Sequence, residues 1–115
     1  MGWMDSKYYS IQEEILSDDN ITREQMGVKL REALEEELAH PEIYSDWIVS
    51  HYNSSAEYLS DYVICEPEAS EEEIFFYYEE ARKESELFRK YGYEHYADWI
   101  MEIADNAVET WKKAG

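Results

Sequence analysis

The stretch Tyr93-Glu94-His95-Tyr96-Ala97-Asp98-Trp99-Ile100-Met101-Glu102-Ile103-Ala104-Asp105-Asn106-Ala107-Val108-Glu109-Thr110-Trp111-Lys112-Lys113 decides the fold class. At about 100° per residue, Glu94, Asp98, Glu102, Asp105 and Glu109 fall inside an arc of roughly 80°. Tyr96, Trp99, Ile100, Ile103, Ala107 and Trp111 gather on the opposite side. The period is that of a helix, with one face for a core and the other a ladder of carboxylates. The same period recurs upstream, so the chain reads as all-α: one small acidic helical domain over residues 1–115, with about four to six helices.

Working towards the N-terminus, Gly92 is the expected stop of a helix that opens at Ser70 and runs to about Lys90. Ser70-Glu71-Glu72-Glu73 has capping-box spacing, and its three carboxylates favour the positive end of the helix dipole. Within that helix Glu79 faces Lys83 and Glu86 faces Lys90 at i,i+4, an ordinary mixed-charge surface. Residues 63–69 contain Pro67 and read as a loop, or as a short strand with no evident pairing partner. A short helix is expected from about Ala56 to Tyr62, capped at Asn53-Ser54-Ser55. Pro41 suits the first turn of another, with Ile43, Tyr44, Trp47 and Ile48 as its apolar stripe. Thr22-Arg23-Glu24-Gln25 is a second capping box, opening a helix to Leu38 or Ala39 with Met26, Leu30, Ala33, Leu34 and Leu38 on one face. Asp5 or Ser6 caps a first helix through about Leu16, followed by the polar break Ser17-Asp18-Asp19-Asn20. Tyr44-Ser45-Asp46-Trp47-Ile48-Val49 is echoed by Tyr96-Ala97-Asp98-Trp99-Ile100-Met101, two helices meeting the same packing demand.

Charge is the second signal. From Glu32 to Ala81 there are fifty residues and fifteen Asp or Glu, but no Lys or Arg, and the whole chain sums to −18. Like charges repel and lower stability, so a one-sided acidic surface serves solubility, a salt-adapted habitat or a strongly basic partner. Disorder does not fit 44% hydrophobic residues, which include eleven Tyr, four Trp and three Phe. Direct nucleic-acid binding needs clustered Lys and Arg that the chain lacks. Cys65 is the single cysteine, which excludes an intrachain disulfide and a CxxC pair and suits a reducing cytosol. The start Met1-Gly2-Trp3-Met4-Asp5 lacks a signal-peptide pattern, no apolar run approaches a membrane span, and a soluble protein is expected.

Catalytic patterns are missing. His40, His51 and His95 are dispersed, and the four glycines form no phosphate loop. Glu37-Leu38-Ala39-His40 has the Glu-x-x-His spacing of a di-iron bundle, but that site needs two such motifs. Asp18-Asp19-Asn20 lacks the alternating ligands of a calcium loop. No enzyme activity, cofactor or metal is expected. The chemistry rests on carboxylates three and four apart, which sit about 5–6 Å from one another and cost a few tenths of a kcal/mol per like-charged pair. Such a row imitates the phosphates of a nucleic-acid strand. The candidate partner-binding residues are Glu94, Asp98, Glu102, Asp105 and Glu109, whose ladder has no basic neighbour until Lys112 and Lys113. Glu32, Glu35 and Glu36, then Glu42 with Asp46, and Glu57 with Asp61 repeat the uncompensated pattern.

The segment Leu30-Arg31-Glu32-Ala33-Leu34 leading into Ile43-Tyr44-Ser45-Asp46-Trp47-Ile48, in a Tyr-rich acidic helical chain that ends in an acidic aromatic helix, resembles the phage anti-restriction DNA mimics of the Ocr type. In pattern and length the resemblance covers residues 22–110. It implies a homodimer, elongated and bent like B-DNA, that occupies the DNA groove of Type I restriction-modification enzymes or related host defence complexes, in the host cytoplasm if phage-encoded. Lys112 and Lys113 depart from the acidic tail expected of that family. An anti-CRISPR inhibitor of a Cas effector would follow the same logic, and a general acidic partner or chaperone of a basic protein is the alternative.

Overall fold

Helix boundaries in this chain are set by side chains that satisfy orphan backbone groups, and most of them fall where the capping residues place them. A computed structural model describes residues 7–51 and 54–114. Its helices are α1 (Lys7–Leu16), α2 (Arg23–Ala39), α3 (Pro41–His51), α4 (Ser54–Cys65), α5 (Glu71–Lys90) and α6 (Glu94–Ala114), and the described residues include no strand. The all-α expectation holds. The expected caps Asp5, Ser6 and Asn53 lie outside the described residues.

At the start of α2 both halves of the capping box form: Gln25 N–H donates to Thr22 Oγ1 at 3.1 Å, and Thr22 N–H to Gln25 Oε1 at 3.0 Å. At α5 Glu73 N–H donates to Ser70 Oγ at 3.2 Å, while the Glu73 carboxylate turns to the Tyr62 hydroxyl of α4. The end of α5 is a Schellman motif. Tyr93 N–H reaches Phe88 O at 2.8 Å and Gly92 N–H reaches Arg89 O at 3.1 Å, with Gly92 at φ +91. The Phe88 and Tyr93 rings close it edge to face, 6.1 Å apart. One expectation fails: residues 63–65 are neither loop nor strand, because α4 continues to Cys65 and Val63 is buried in the bundle.

Contacts divide the chain into two units, Met1–His51 and Tyr52–Gly115. In the first, α2 packs against both α1 and α3. Having two neighbours, it buries an arc wider than one stripe: Gly27, Ala33, Leu34, Glu37 and Leu38 are buried, whereas Met26 and Leu30 are only half-buried. From α3, Tyr44 and Ile48 enter the core, while Ile43 stays exposed, against the expected stripe. The side chain of Trp47 lies outside the described residues.

In the second unit α4, α5 and α6 each pack against the other two. Neighbours joined by short connections run antiparallel, and the side-chain contacts agree: Arg89 meets Asp98 near the α5–α6 connection, and Tyr78 meets Asp105 about two turns further along the pair. The core takes Ala56, Leu59 and Val63 from α4, Ile74, Ala81 and Phe88 from α5, and Ala97, Ile100, Ala104 and Ala107 from α6. Spacings of three, four and seven keep each set on one side of its helix. Small side chains at 97, 104 and 107 let the neighbouring helices approach α6 closely. Trp111 Nε1 donates to Ala69 O at 3.2 Å, fastening the end of α6 to the α4–α5 connection.

Ala104→Leu forces a larger side chain into a fully buried site and is expected to cost about 1–3 kcal/mol by urea unfolding. Gly92→Ala meets no atom within 4 Å of the added Cβ, so its expected loss of about 1–2 kcal/mol is conformational alone. A Gly92→Ala protein as stable as the parent would contradict the account of the α5 stop.

Candidate polyanionic interface

α6 presents its five carboxylates as the period requires. Glu94, Asp98, Glu102, Asp105 and Glu109 are all exposed. At a rise of 1.5 Å per residue they extend over about 22 Å of helix.

Two of them are held in place. Tyr78 of α5 donates its hydroxyl to Asp105 at 2.7 Å, which orients the carboxylate without cancelling its charge. Arg89 of α5 donates to Asp98 at 3.0 Å. The ladder therefore does have a basic neighbour before Lys112, contrary to the reading from local spacing, because Arg89 arrives across the α5–α6 packing. Among the described residues no cation or hydrogen-bond donor engages Glu94, Glu102 or Glu109.

The mixed-charge surface of α5 exists with different pairs. Arg82, not Lys83 or Lys90, takes both acids: its Nη2 lies 2.7 Å from Glu79 and its Nη1 2.7 Å from Glu86. Lys83 sits 3.7 Å from Glu80 instead. A guanidinium fork reaches one turn forwards and one back at once, which a lysine does not. The hydrogen bond from Arg82 holds the Glu79 carboxyl below its usual range, and the same bond pushes the guanidinium up. Arg89 reaches across the α5–α6 seam, whereas Arg82 and Lys83 pair with acids of their own helix. Glu102 and Glu109 are turned away from that seam.

The remaining candidates occupy other helices. Glu32 and Glu36 are exposed and Glu35 half-buried on α2, Glu42 and Asp46 are exposed on α3, and Glu57 and Asp61 are exposed on α4. The uncompensated pattern does not extend to all of them. Glu42 lies 3.3 Å from His40 Nδ1, and its carboxyl is lowered first by a backbone hydrogen bond and then by His40. Glu35, Glu36, Asp46 and Glu57 are also each engaged in a polar or electrostatic interaction. The two members of the Glu-x-x-His motif part company, with Glu37 buried and His40 exposed. Among the described residues no group of three or more His, Cys, Asp or Glu is placed to hold a metal ion, and no helix is long and apolar enough to cross a membrane.

Sequence reasoning missed the hydroxyls. Ser55 donates to the buried Glu84 at 2.6 Å, Tyr62 to Glu73, and Tyr78 to Asp105, each joining two helices. No local spacing reveals such pairs, since their partners are eleven to twenty-nine residues apart. No protein-family model, curated protein or solved structure matches the chain.

The hydrogen bond to Glu73, then burial, pushes Tyr62 up to about 12, and the bond to Asp105, then burial, does the same for Tyr78. A tyrosine of the unfolded chain titrates near ~10. Because the folded values are raised, the stability these bonds contribute is complete below about pH 10 and is lost as pH climbs towards about 12. The urea midpoint of the parent is expected to fall more steeply over that window than that of a Tyr62→Phe/Tyr78→Phe protein. Parallel curves would rule the two clamps out as contributors.

Proposed function

We propose that this protein is an acidic DNA mimic that inhibits a restriction-modification complex, or a related host defence complex such as a CRISPR effector, by occupying its DNA-binding groove. The observation that carries the proposal is the row on α6: five exposed carboxylates on one face, three of them unengaged among the described residues. A groove that grips duplex DNA does so through Lys and Arg aimed at phosphates, and carboxylates in a rigid row offer those cations a substitute. The net charge of −18 supports the same reading, because a field of that size draws a basic partner from a distance.

Magnitudes limit what α6 does alone. Five charges over about 22 Å amount to one per roughly 5–6 Å, against one per 3.4 Å along each strand of DNA. The row is also shorter than one turn of B-DNA, about 34 Å. Asp61 and Glu57 on α4 add charge to the same unit, and the homodimer implied by the resemblance would lengthen the strip.

The rival reading, a general acidic partner of a basic protein, needs no displacement by duplex DNA, whereas a mimic is displaced. Glu102→Lys/Glu109→Lys is expected to weaken protection of DNA from cleavage by a Type I restriction enzyme by about tenfold or more. The same reversal at Glu79 and Glu86, which Arg82 already engages, should have a smaller effect. Equal losses from the two pairs would remove the α6 row as the contact surface.

A further inference from the structure

We infer that the outer face of α6 around Trp99 receives an arginine, in preference to a lysine, from the basic segment of its partner. The inference deepens the DNA-mimic reading and rests on it for the sign of the partner's charge. Trp99 is 48% exposed, although it belongs to the apolar side of the helix by sequence. Its indole contacts two rings of the preceding turn, His95 tilted at 6.3 Å and Tyr96 edge-on at 5.7 Å. A large ring braced in this way loses little further rotamer freedom when its exposed part is stacked upon.

Charge complementarity selects the occupant. Asp98, Trp99 and Glu102 are all exposed, and Glu102 is the i+3 neighbour of Trp99, about 60° round the helix, so a cation over the indole has a carboxylate beside it. Guanidinium satisfies both demands, being planar, weakly hydrated and able to stack on an aromatic face while its edge donates to a carboxylate. An ammonium is compact and strongly hydrated, and serves the carboxylates alone. The protein itself sets the precedent: the basic side chain that reaches this ladder from α5 is an arginine, Arg89, with Nη2 3.0 Å from Asp98.

Fluorescein-labelled octa-arginine and octa-lysine peptides, titrated with the full chain in low-salt buffer and followed by anisotropy, test the inference. Trp99→Ala should reduce the preference for octa-arginine over octa-lysine by about two- to fivefold while leaving octa-lysine affinity unchanged. Trp99→Phe should retain part of the preference. Glu102→Gln/Glu109→Gln should weaken both peptides alike. If Trp99→Ala leaves the preference intact, or weakens both peptides equally, the inference is overturned while the polyanion reading stands. If the parent protein binds neither peptide, both are overturned.

Discussion

Repulsion among carboxylates is the constraint to which the rest of this fold answers. With 28 acids against 10 bases, the chain gains stability from burial and spends little of its surface on ion pairing. The magnitudes allow it. Adjacent rungs on α6 repel by a few tenths of a kcal/mol each, so the four neighbouring pairs of the row cost about 1–2 kcal/mol together. Full burial of one large apolar side chain such as Phe88 is worth about 1.5–3 kcal/mol. One good core residue therefore offsets the whole row, and the ladder is compatible with a stable helix.

The way carboxylates are anchored follows from the same constraint. Three of the interhelical contacts to acids use neutral hydroxyls, from Ser55, Tyr62 and Tyr78, and leave the charge in place. Arg89 with Asp98 is a cationic contact between α5 and α6, and Arg82 pairs with two acids of its own helix. In the second unit Arg82 and Lys83 are thus taken up by acids of α5 and Arg89 by Asp98, while Glu102 and Glu109 stay exposed on α6. A surface of this kind presents negative charge at positions fixed by helix geometry.

Much of the fold was legible because capping is local. The side chains that close each helix end lie within three residues of it, as at Thr22 with Gln25, at Ser70, and at Gly92. Pro41 opens α3 where its missing N–H costs nothing. The end of α4 was misread because Pro67 looks like a breaker of the whole segment. Proline restricts chiefly the residue before it, so a helix can run to Cys65, and burial of Val63 draws it there. The α6 ladder was legible from its period, whereas its partners were not: Arg89 and Tyr78 come from another helix, and sequence spacing carries no tertiary register. The exposure of Trp99 was hidden for the same reason, since the buried arc of α6 is set by where α4 and α5 sit, and it centres on Ala97, Ile100, Ala104 and Ala107.

The account stands on the idea that these carboxylates compete with phosphates for the same cations. The most direct measurement is an equilibrium competition in which the protein displaces a labelled DNA duplex from a Type I restriction complex or a Cas effector, repeated across a salt series. The account predicts displacement at low salt that weakens steadily as salt rises, since exposed charges are screened beyond about 8 Å at physiological ionic strength. Binding to such a complex without displacement of DNA, or displacement indifferent to salt, would contradict it.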